Sequence, residues 1–357
     1  MNLKDRLIIE EYRRQRENFL ELEKVVGEKL QEIAETSGIE VFSIEHRVKK
    51  EDSLAEKLVR NGDWYKELDN LTDILGARVI CFFNDDVDKF GKLVEKTFTV
   101  DWKNSSDKRA LIKANSFGYL SLHYICYFPE GCGQPEHICG KKFEIQIRTI
   151  LQHTWAAIEH DIGYKNEFGL PREYERAFSR IAGLLEIADE EFMRVRDGMK
   201  NYTADIRKRI QENRADDVAI NMVSLQEYVD HNDPMRELLR KIADVCGAEI
   251  QSVSPDNYIP QLAWFGITTV GGLQEMFRRN ASLAYSLAQS ALAASDMDVI
   301  SSSLGLRYIC RAELLLGNYT EEQAAEFFNL SLRDEERAKR QAKLLFCNYR
   351  NQGEDEQ

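Results

Sequence analysis

The sequence has 357 residues, of which 43% are apolar and 10% aromatic, so it can bury a sizeable core and is long enough for two domains. Its formal net charge of −13 excludes a general basic surface for DNA, whereas a small anionic ligand needs only a local cluster of cations. No run of about 18 apolar residues occurs, and the seven cysteines are scattered. We therefore expect a cytoplasmic protein with reduced thiols and no membrane partner.

The predicted elements change in character along the chain. Residues 3–35 show helical spacing of apolar residues and predict one long amphipathic helix, or two helices joined near Gly27. Residues 40–148 contain short runs typical of strands, with helical stretches near 53–61 and 85–97. After Arg148 the pattern is helical almost to the end, and Thr320 with Gln323 forms a capping box.

These elements predict an α+β fold. Residues 1–170 would form a mixed β-sheet with flanking helices, and residues 171–357 would form an all-α domain. Pro255 and Pro260 indicate a further boundary near residues 253–262.

Three predicted strands each carry polar side chains on one face. Alternation in the run that starts at Phe143 gives one such face, and the runs around residues 47 and 121 give two more. A solvent-exposed sheet face produces the same pattern, but three such faces together favour a ligand site. Their polar members are Arg47, Lys49, Tyr119, Ser121, His123, Glu144, Gln146 and Arg148.

Asp73 precedes a strongly apolar strand. Aspartate at such a position is commonly a turn cap, but paired with Glu144 it would supply the carboxylates that Mg²⁺ prefers in phosphoryl-type transfer. Strict alternation places Asp73 and Arg78 on opposite faces of the strand. Both can serve one site only if the strand begins after Asp73 or bulges near Gly76.

Four segments in order carry a family resemblance. They are RVKxxxSLxxK from Arg47, DILGARV from Asp73, GYLSLHY from Gly118, and EIQIRT followed by HTWAAIEHDIGYK from Glu144. Over roughly residues 40–170 the chain resembles the RelA/SpoT synthetase domain. The resemblance implies a nucleotidyltransferase-like fold and transfer of the β,γ-diphosphate of ATP to the 3′-hydroxyl of GDP or GTP, with Mg²⁺ as cofactor.

The resemblance implies an ATP site built from four cations and one hydroxyl. Arg47 and Arg78 would sandwich the adenine, since guanidinium planes stack on flat bases. Lys49, Ser53 and Lys57 would hold the ATP phosphates.

It also implies the metal and acceptor sites. Asp73 and Glu144 would bind Mg²⁺, and Glu144 would act as the general base for the weakly acidic 3′-hydroxyl. Tyr119 would stack on the acceptor base. The acceptor or phosphate side would be lined by His123, Gln146 and Arg148.

The acceptor base is less constrained than the donor. Family members that bind guanine often carry Asn-Gly-Tyr, but this chain has Phe117, Gly118 and Tyr119, with Asn115 two positions before Phe117. An adenine nucleotide or the 3′ end of a tRNA, as proposed for related toxic small synthetases, therefore stays open. A catalytically silent nucleotide-binding regulator is a third reading, which the intact set of site residues disfavours.

Other histidines and cysteines suggest no second centre. Only His46 precedes His123, so we expect no His-Asp hydrolase domain in that part, and His160-Asp161 falls within the synthetase pattern. The loop with Cys132 and Cys139 lacks the spacing of structural zinc sites, and we expect His153 to serve packing or a local hydrogen bond.

The helices after residue 171 carry apolar stripes that include Ile181, Leu184 and Phe192. We interpret these as core or subunit contacts, and the resemblance adds that a homo-oligomer through C-terminal helices is expected. The role of residues 215–357 stays open between an oligomerisation scaffold, a sensor and an autoinhibitory domain.

Overall fold

The computed structural model describes residues 3–61, 64–107, 121–164, 171–212, 214–293, 295 and 297–354. The chain divides into two compact units, Met1–Asp197 and Gly198–Gln357. The predicted domain boundary at residues 170/171 stays a prediction, because residues 165–170 lie outside the described ranges. None of the helices in those ranges is long and apolar enough to cross a bilayer.

The first unit combines helices with a mixed sheet. Its helices are α1 (Leu3–Ser37), α2 (Glu51–Asn61), α3 (Asn84–Thr97), α4 (Ile150–Tyr164) and the first part of α5 (Arg172–Gln211). Its strands are β1 (Val41–Val48), β2 (Leu75–Cys81), β3 (Thr99–Val100), β4 (Ser106–Asp107), β5 (Leu122–Tyr127) and β6 (Phe143–Thr149).

The strands form one sheet in the order β1-β2-β6-β5-β3, and β4 also pairs with β5. The pairing of β2 with β6 is parallel, whereas the other pairings in this sheet are antiparallel. The central strands are rich in β-branched residues, which fit a pleated surface buried on at least one side. The predicted mixed sheet with flanking helices is confirmed.

One face of this sheet packs against α1 and α3. On α1, Leu22, Val26 and Leu30 are fully buried in the same core as Val79 and Ile145 of the sheet. The helix is continuous at Gly27, so the alternative of two joined helices is not realised. A Cβ at Gly27 would lie 2.6 Å from His46 Nε2 on β1, so glycine permits the close approach of helix and strand.

The second unit is helical, as predicted. Besides the end of α5, it contains α6 (Met222–His231), α7 (Asp233–Cys246), α8 (Ile259–Trp264), α9 (Val270–Leu292), α10 (Leu304–Leu316), α11 (Glu321–Leu332) and α12 (Glu335–Glu354). It also contains a feature that the sequence analysis missed, a short parallel pair formed by β7 (Glu249–Gln251) and β8 (Val299–Ser301). The capping box of Thr320 with Gln323 begins α11 as predicted.

A buried polar cluster holds the junction between β6 and α4. The Thr149 hydroxyl donates to Asp189 Oδ2 at 2.7 Å, and the Thr149 backbone N–H donates to Gln152 Oε1 at 2.9 Å. All three residues are buried. Burial raises the pKa of the Asp189 carboxyl to about 6, and the hydrogen bond from Thr149 opposes this shift.

We predict that Asp189→Asn removes a loss of stability that occurs as the pH rises. A carboxyl whose folded-state pKa is raised stabilises the fold below its unfolded pKa, near 4, and this contribution is lost as the pH rises through about 6. In thermal unfolding, the stability of the variant relative to the wild type should increase from pH 4 to pH 6.5. The gain should be on the order of 1 kcal/mol, or about 2–4 °C in Tm. A Tm difference that does not change with pH would contradict the assignment.

Candidate functional site

The polar faces predicted from the sequence form one surface across four strands. Residues paired directly across a sheet point to the same side. Arg47 of β1 pairs with Gly76 of β2, which pairs with Glu144 of β6. Arg78 of β2 pairs with Gln146, and Gln146 pairs with His123 of β5. The register therefore brings the predicted residues of β1, β2, β5 and β6 to the face opposite α1.

Two neighbouring pockets of about 540 and 570 Å³ lie on this surface. They share Arg47, Arg78 and Gln146. The first pocket is also lined by Lys49, Ser53, Asp73, Gly76 and Glu144. The second is also lined by Arg148, His153, Ala156, Ala157, Glu159 and His160.

The residue at which β2 begins determines whether Asp73 can lie on the same side of the sheet as Arg78. The strand begins at Leu75, so Asp73 lies before it and escapes the strict alternation that would have turned it away from Arg78. The backbone N–H of Lys49 donates to the Ile74 carbonyl at 2.7 Å, and the buried Tyr12 hydroxyl of α1 donates to the Lys49 carbonyl. These bonds fix the turn that carries Lys49 beside Asp73.

Asp73 is held by two lysines. Lys49 Nζ lies 2.6 Å and Lys57 Nζ 2.7 Å from Asp73 Oδ2. Burial alone would raise the pKa of Asp73, but the two ammonium groups outweigh it and the pKa is lowered. Burial lowers the pKa of Lys49, whereas the bond to Asp73 leaves the pKa of Lys57 raised. Asp73 is thus a carboxylate between two cations.

Glu144 is held by His123 and Gln146 on the same face. His123 Nδ1 lies 2.8 Å from Glu144 Oε1, and Gln146 Nε2 donates to Glu144 Oε2 at 2.8 Å. Burial opposes the charged form of Glu144, yet the hydrogen bond and charge of His123 and the bond from Gln146 lower its pKa overall. Glu144 is therefore ionised near neutral pH and can accept a proton.

The two carboxylates fit a hard divalent cation that substrate phosphates would help to hold. Asp73 Oδ1 is buried and has no hydrogen-bond partner within the described residues, which leaves one oxygen available as a ligand. In the same part of the chain, no group of three or more His, Cys, Asp or Glu side chains is placed to hold a metal. A cage made by protein alone is thus not seen, and the donor set matches Mg²⁺, which usually takes one or two carboxylates with phosphate oxygens.

The remaining predicted residues divide into three groups. Ser53 lines the first pocket from α2, and Arg148, which is 4% exposed, lines the second. Lys57 reaches the site through Asp73. Tyr119 lies outside the described residues, as do Asn115, Phe117 and Gly118, so its stacking role stays a prediction.

Two residues of this surface were not predicted from the sequence as site residues. A Cβ at Gly76 would meet no atom within 4 Å, so the glycine leaves open space in the first pocket between Arg47 and Arg78. His153, expected to serve packing, lines the second pocket. Burial, together with the charges of Arg148 and Arg78, lowers its pKa, so its ring is neutral near pH 7. The position of His153 four residues after Thr149, at the first turn of α4, was the available signal.

Comparisons with known proteins identify the family of the region that carries this surface. Residues 46–168 match the family described as "Region found in RelA / SpoT proteins". The GTP pyrophosphokinase YjbM of Bacillus subtilis (strain 168) is 31% identical over 156 residues, which cover 42% of this chain and 69% of YjbM. The GTP pyrophosphokinase YwaC of the same organism is 32% identical over 160 residues, which cover 43% of this chain and 74% of YwaC.

Among solved structures, the crystal structure of the small alarmone synthetase 1 from Bacillus subtilis is 26% identical, with a TM-score of 0.45. The match covers 54% of this chain and 99% of that one. The helical second unit lies largely beyond the family match, which ends at residue 168. The chain belongs to the RelA/SpoT synthetase family and carries, after the region that it shares with small alarmone synthetases, an additional helical region.

Proposed function

We propose that this chain is a pyrophosphokinase that transfers the β,γ-diphosphate of ATP to the 3′-hydroxyl of GDP or GTP. The observation that carries the proposal is the pair of charge clusters on one sheet face, Lys49–Asp73–Lys57 and His123–Glu144–Gln146. The names of YjbM and YwaC as GTP pyrophosphokinases support it.

The donor adenine would lie against Arg47 and Arg78. The two arginines project from adjacent strands on the same face, in residue pairs that are two positions apart along the register, and the absent side chain of Gly76 leaves room beside them. Guanidinium groups stack on flat bases, which suits this arrangement. Lys49, with Lys57 and Ser53 of α2, would then contact the phosphates.

Asp73 and Glu144 would hold Mg²⁺. The ion supplies positive charge against the negative charge that develops on the transferred diphosphate. Lys49 and Lys57 contribute further positive charge from their positions on Asp73, and they can pass from the carboxylate to phosphate oxygens when the nucleotide binds.

In the reaction, the acceptor 3′-oxygen attacks the β-phosphorus of ATP and its proton passes to Glu144. The bond between the β-phosphorus and the oxygen that bridges to the α-phosphate breaks, and AMP leaves. His123 keeps the Glu144 carboxylate oriented through Oε1, so His123 is a positioning residue for the base. Gln146 and Arg148 line the acceptor or phosphate side, and Tyr119 stacks on the acceptor base.

We predict that Glu144→Gln abolishes transfer, by a factor of about 10² or more, because the amide cannot accept the proton. Labelled ATP should be incubated with Mg²⁺ and GDP or GTP, and parallel reactions should contain AMP, ADP or tRNA as acceptor. The control is Glu40→Gln, at an exposed carboxyl near β1. An active Glu144→Gln enzyme would refute the base assignment, and product with adenine acceptors or tRNA alone would refute the guanine acceptor.

We predict that Gly76→Val blocks ATP without harming the fold. The new side chain enters the first pocket, where a Cβ at this position would meet no protein atom within 4 Å, and a β-branched residue suits a strand. The KM for ATP should rise at least about tenfold, with Gly76→Ala intermediate, while the free energy of unfolding should not fall. Normal ATP kinetics in the valine variant would contradict the placement of the donor between Arg47 and Arg78.

We also propose that the chain forms a homo-oligomer through α5. This helix exposes large apolar residues that recur at helical spacing along one face, an arrangement typical of helix association. They include Tyr174, Ile181, Leu184, Phe192 and Val195, each at least 46% exposed.

Light scattering during size-exclusion chromatography tests this proposal. The double variant Leu184→Glu/Val195→Glu should reduce the measured mass to that of a monomer, because it places charge in the apolar stripe. Glu190→Lys, at an exposed position on the opposite face of α5, should leave the mass unchanged. A wild-type protein that is already monomeric would overturn this proposal and leave the catalytic one standing.

A further inference from the structure

Two arginines on α10 lie one helical turn apart and make no ion pair with any described residue. Arg307 and Arg311 follow Ser303, the residue that precedes the first turn of α10, at intervals of four. Side chains four apart on a helix are neighbours on one face. Ser303, Arg307 and Arg311 therefore form a row of hydrogen-bond donors, in which the Ser303 hydroxyl also lies 2.8 Å from Ser301 Oγ.

Arg311 is the unusual member of the row. Its guanidinium carbon lies 5.6 Å from the ring centre of Tyr308 and 5.9 Å from that of Phe328. Its Nη2 donates to Gln341 Oε1 at 3.2 Å, but its buried Nε has no partner among the residues described. Burial, followed by the like charge of Arg307, lowers the pKa of Arg311 to about 10.

The described contacts of Arg311 are with neutral side chains, and the charge that acts on it from the next turn of α10 is that of Arg307. Tyr258 lies close to both arginines and to Ser303. Its burial raises the pKa of its hydroxyl, whereas Arg307, Ser303 and Arg311 lower it. The charged or titratable groups that act on the pKa of Arg311 are Arg307, Tyr308 and Tyr258. The row is thus completed by a phenol from the neighbouring segment and an amide from α12.

Such an arrangement lowers the stability of the fold, so a purely structural role does not explain it. A cation removed from water costs several kcal/mol unless a counter-charge and hydrogen bonds compensate it. Here Arg311 is partly buried beside the exposed cation of Arg307, and a hydrophobic residue at position 311 would pack on Tyr308 and Phe328 without that cost. The missing component is an anion that accepts hydrogen bonds from several donors at once.

We propose that Ser303, Arg307 and Arg311, with Tyr258 and Gln341, form a binding site for a ligand that carries a di- or oligophosphate group. Paired guanidinium groups match phosphate oxygens in geometry and charge, and two cations call for more than one negative charge. The site lies wholly within the second unit and does not rest on the proposed pyrophosphokinase activity. It favours a sensor among the roles left open for residues 215–357.

Hydrogen–deuterium exchange on the full chain, titrated with inorganic pyrophosphate, tests the proposal and locates the binding. Exchange should slow in peptides that cover residues 303–312 and 338–345, independently of any change near residues 47–57 in the first unit. Arg311→Met and Arg307→Gln should each weaken the affinity read at these peptides at least about tenfold, because each removes a charge-assisted hydrogen bond. The control Arg278→Gln, at an exposed arginine of α9, should leave it unchanged.

Two results would overturn the proposal. The first is that saturating pyrophosphate does not slow exchange at residues 303–312, or that it slows this exchange equally in the wild type and in both variants. The second is slowed exchange with succinate but not with pyrophosphate, which would assign the row to carboxylate ligands. Arg307 is exposed and makes no ion pair with any described residue, so Arg307→Gln carries the test if Arg311→Met does not fold.

Discussion

The parallel pairing of β2 with β6 is the constraint on which the candidate site depends. It places Gly76 beside Glu144 and Arg78 beside Gln146, so the open part of the pocket, the stacking cation and the proposed base share one face. A slip of one residue would turn each of these side chains to the other face. The apolar residues on that other face, such as Val79 and Ile145, are fully buried against the helices, and a slip would expose them. The core therefore fixes the geometry of the site.

The charges of the site are balanced before any ligand binds. Asp73 and Glu144 lose hydration on burial. Lys49 and Lys57 compensate this loss at Asp73, and His123 with Gln146 compensates it at Glu144. The pKa of each carboxyl therefore stays below its ordinary value. Cations that already lie on a carboxylate are positioned to contact phosphates. Ionised carboxylates are in turn ready to accept a metal ion or a proton. The same reasoning distinguishes Arg311, whose charge the described residues leave uncompensated.

Much of this could be predicted from the sequence, because strand alternation is a local signal. The polar faces around Glu144 and His123 followed from a period of two. The alternation rule left two ways to bring Asp73 and Arg78 together, and only the observed start of β2 at Leu75 chose between them. Gly76 was not predicted as a site residue because it has no side chain, and strand alternation reveals only the side chains that are present. Three-residue strands such as β7 are too short for periodicity, and the environment of Arg311 depends on α11 and α12, which are distant in sequence.

The central claim is that a diphosphate, rather than a single phosphoryl group, moves from ATP to the acceptor hydroxyl. Mass spectrometry of the nucleotides after incubation of the full chain with ATP, Mg²⁺ and GDP tests it most directly. We predict AMP in equal amount to an acceptor that has gained one diphosphate, and no product when Mg²⁺ is chelated. Formation of ADP with an acceptor that has gained one phosphate, or unchanged nucleotides with GDP, GTP, adenine nucleotides and tRNA alike, would contradict it.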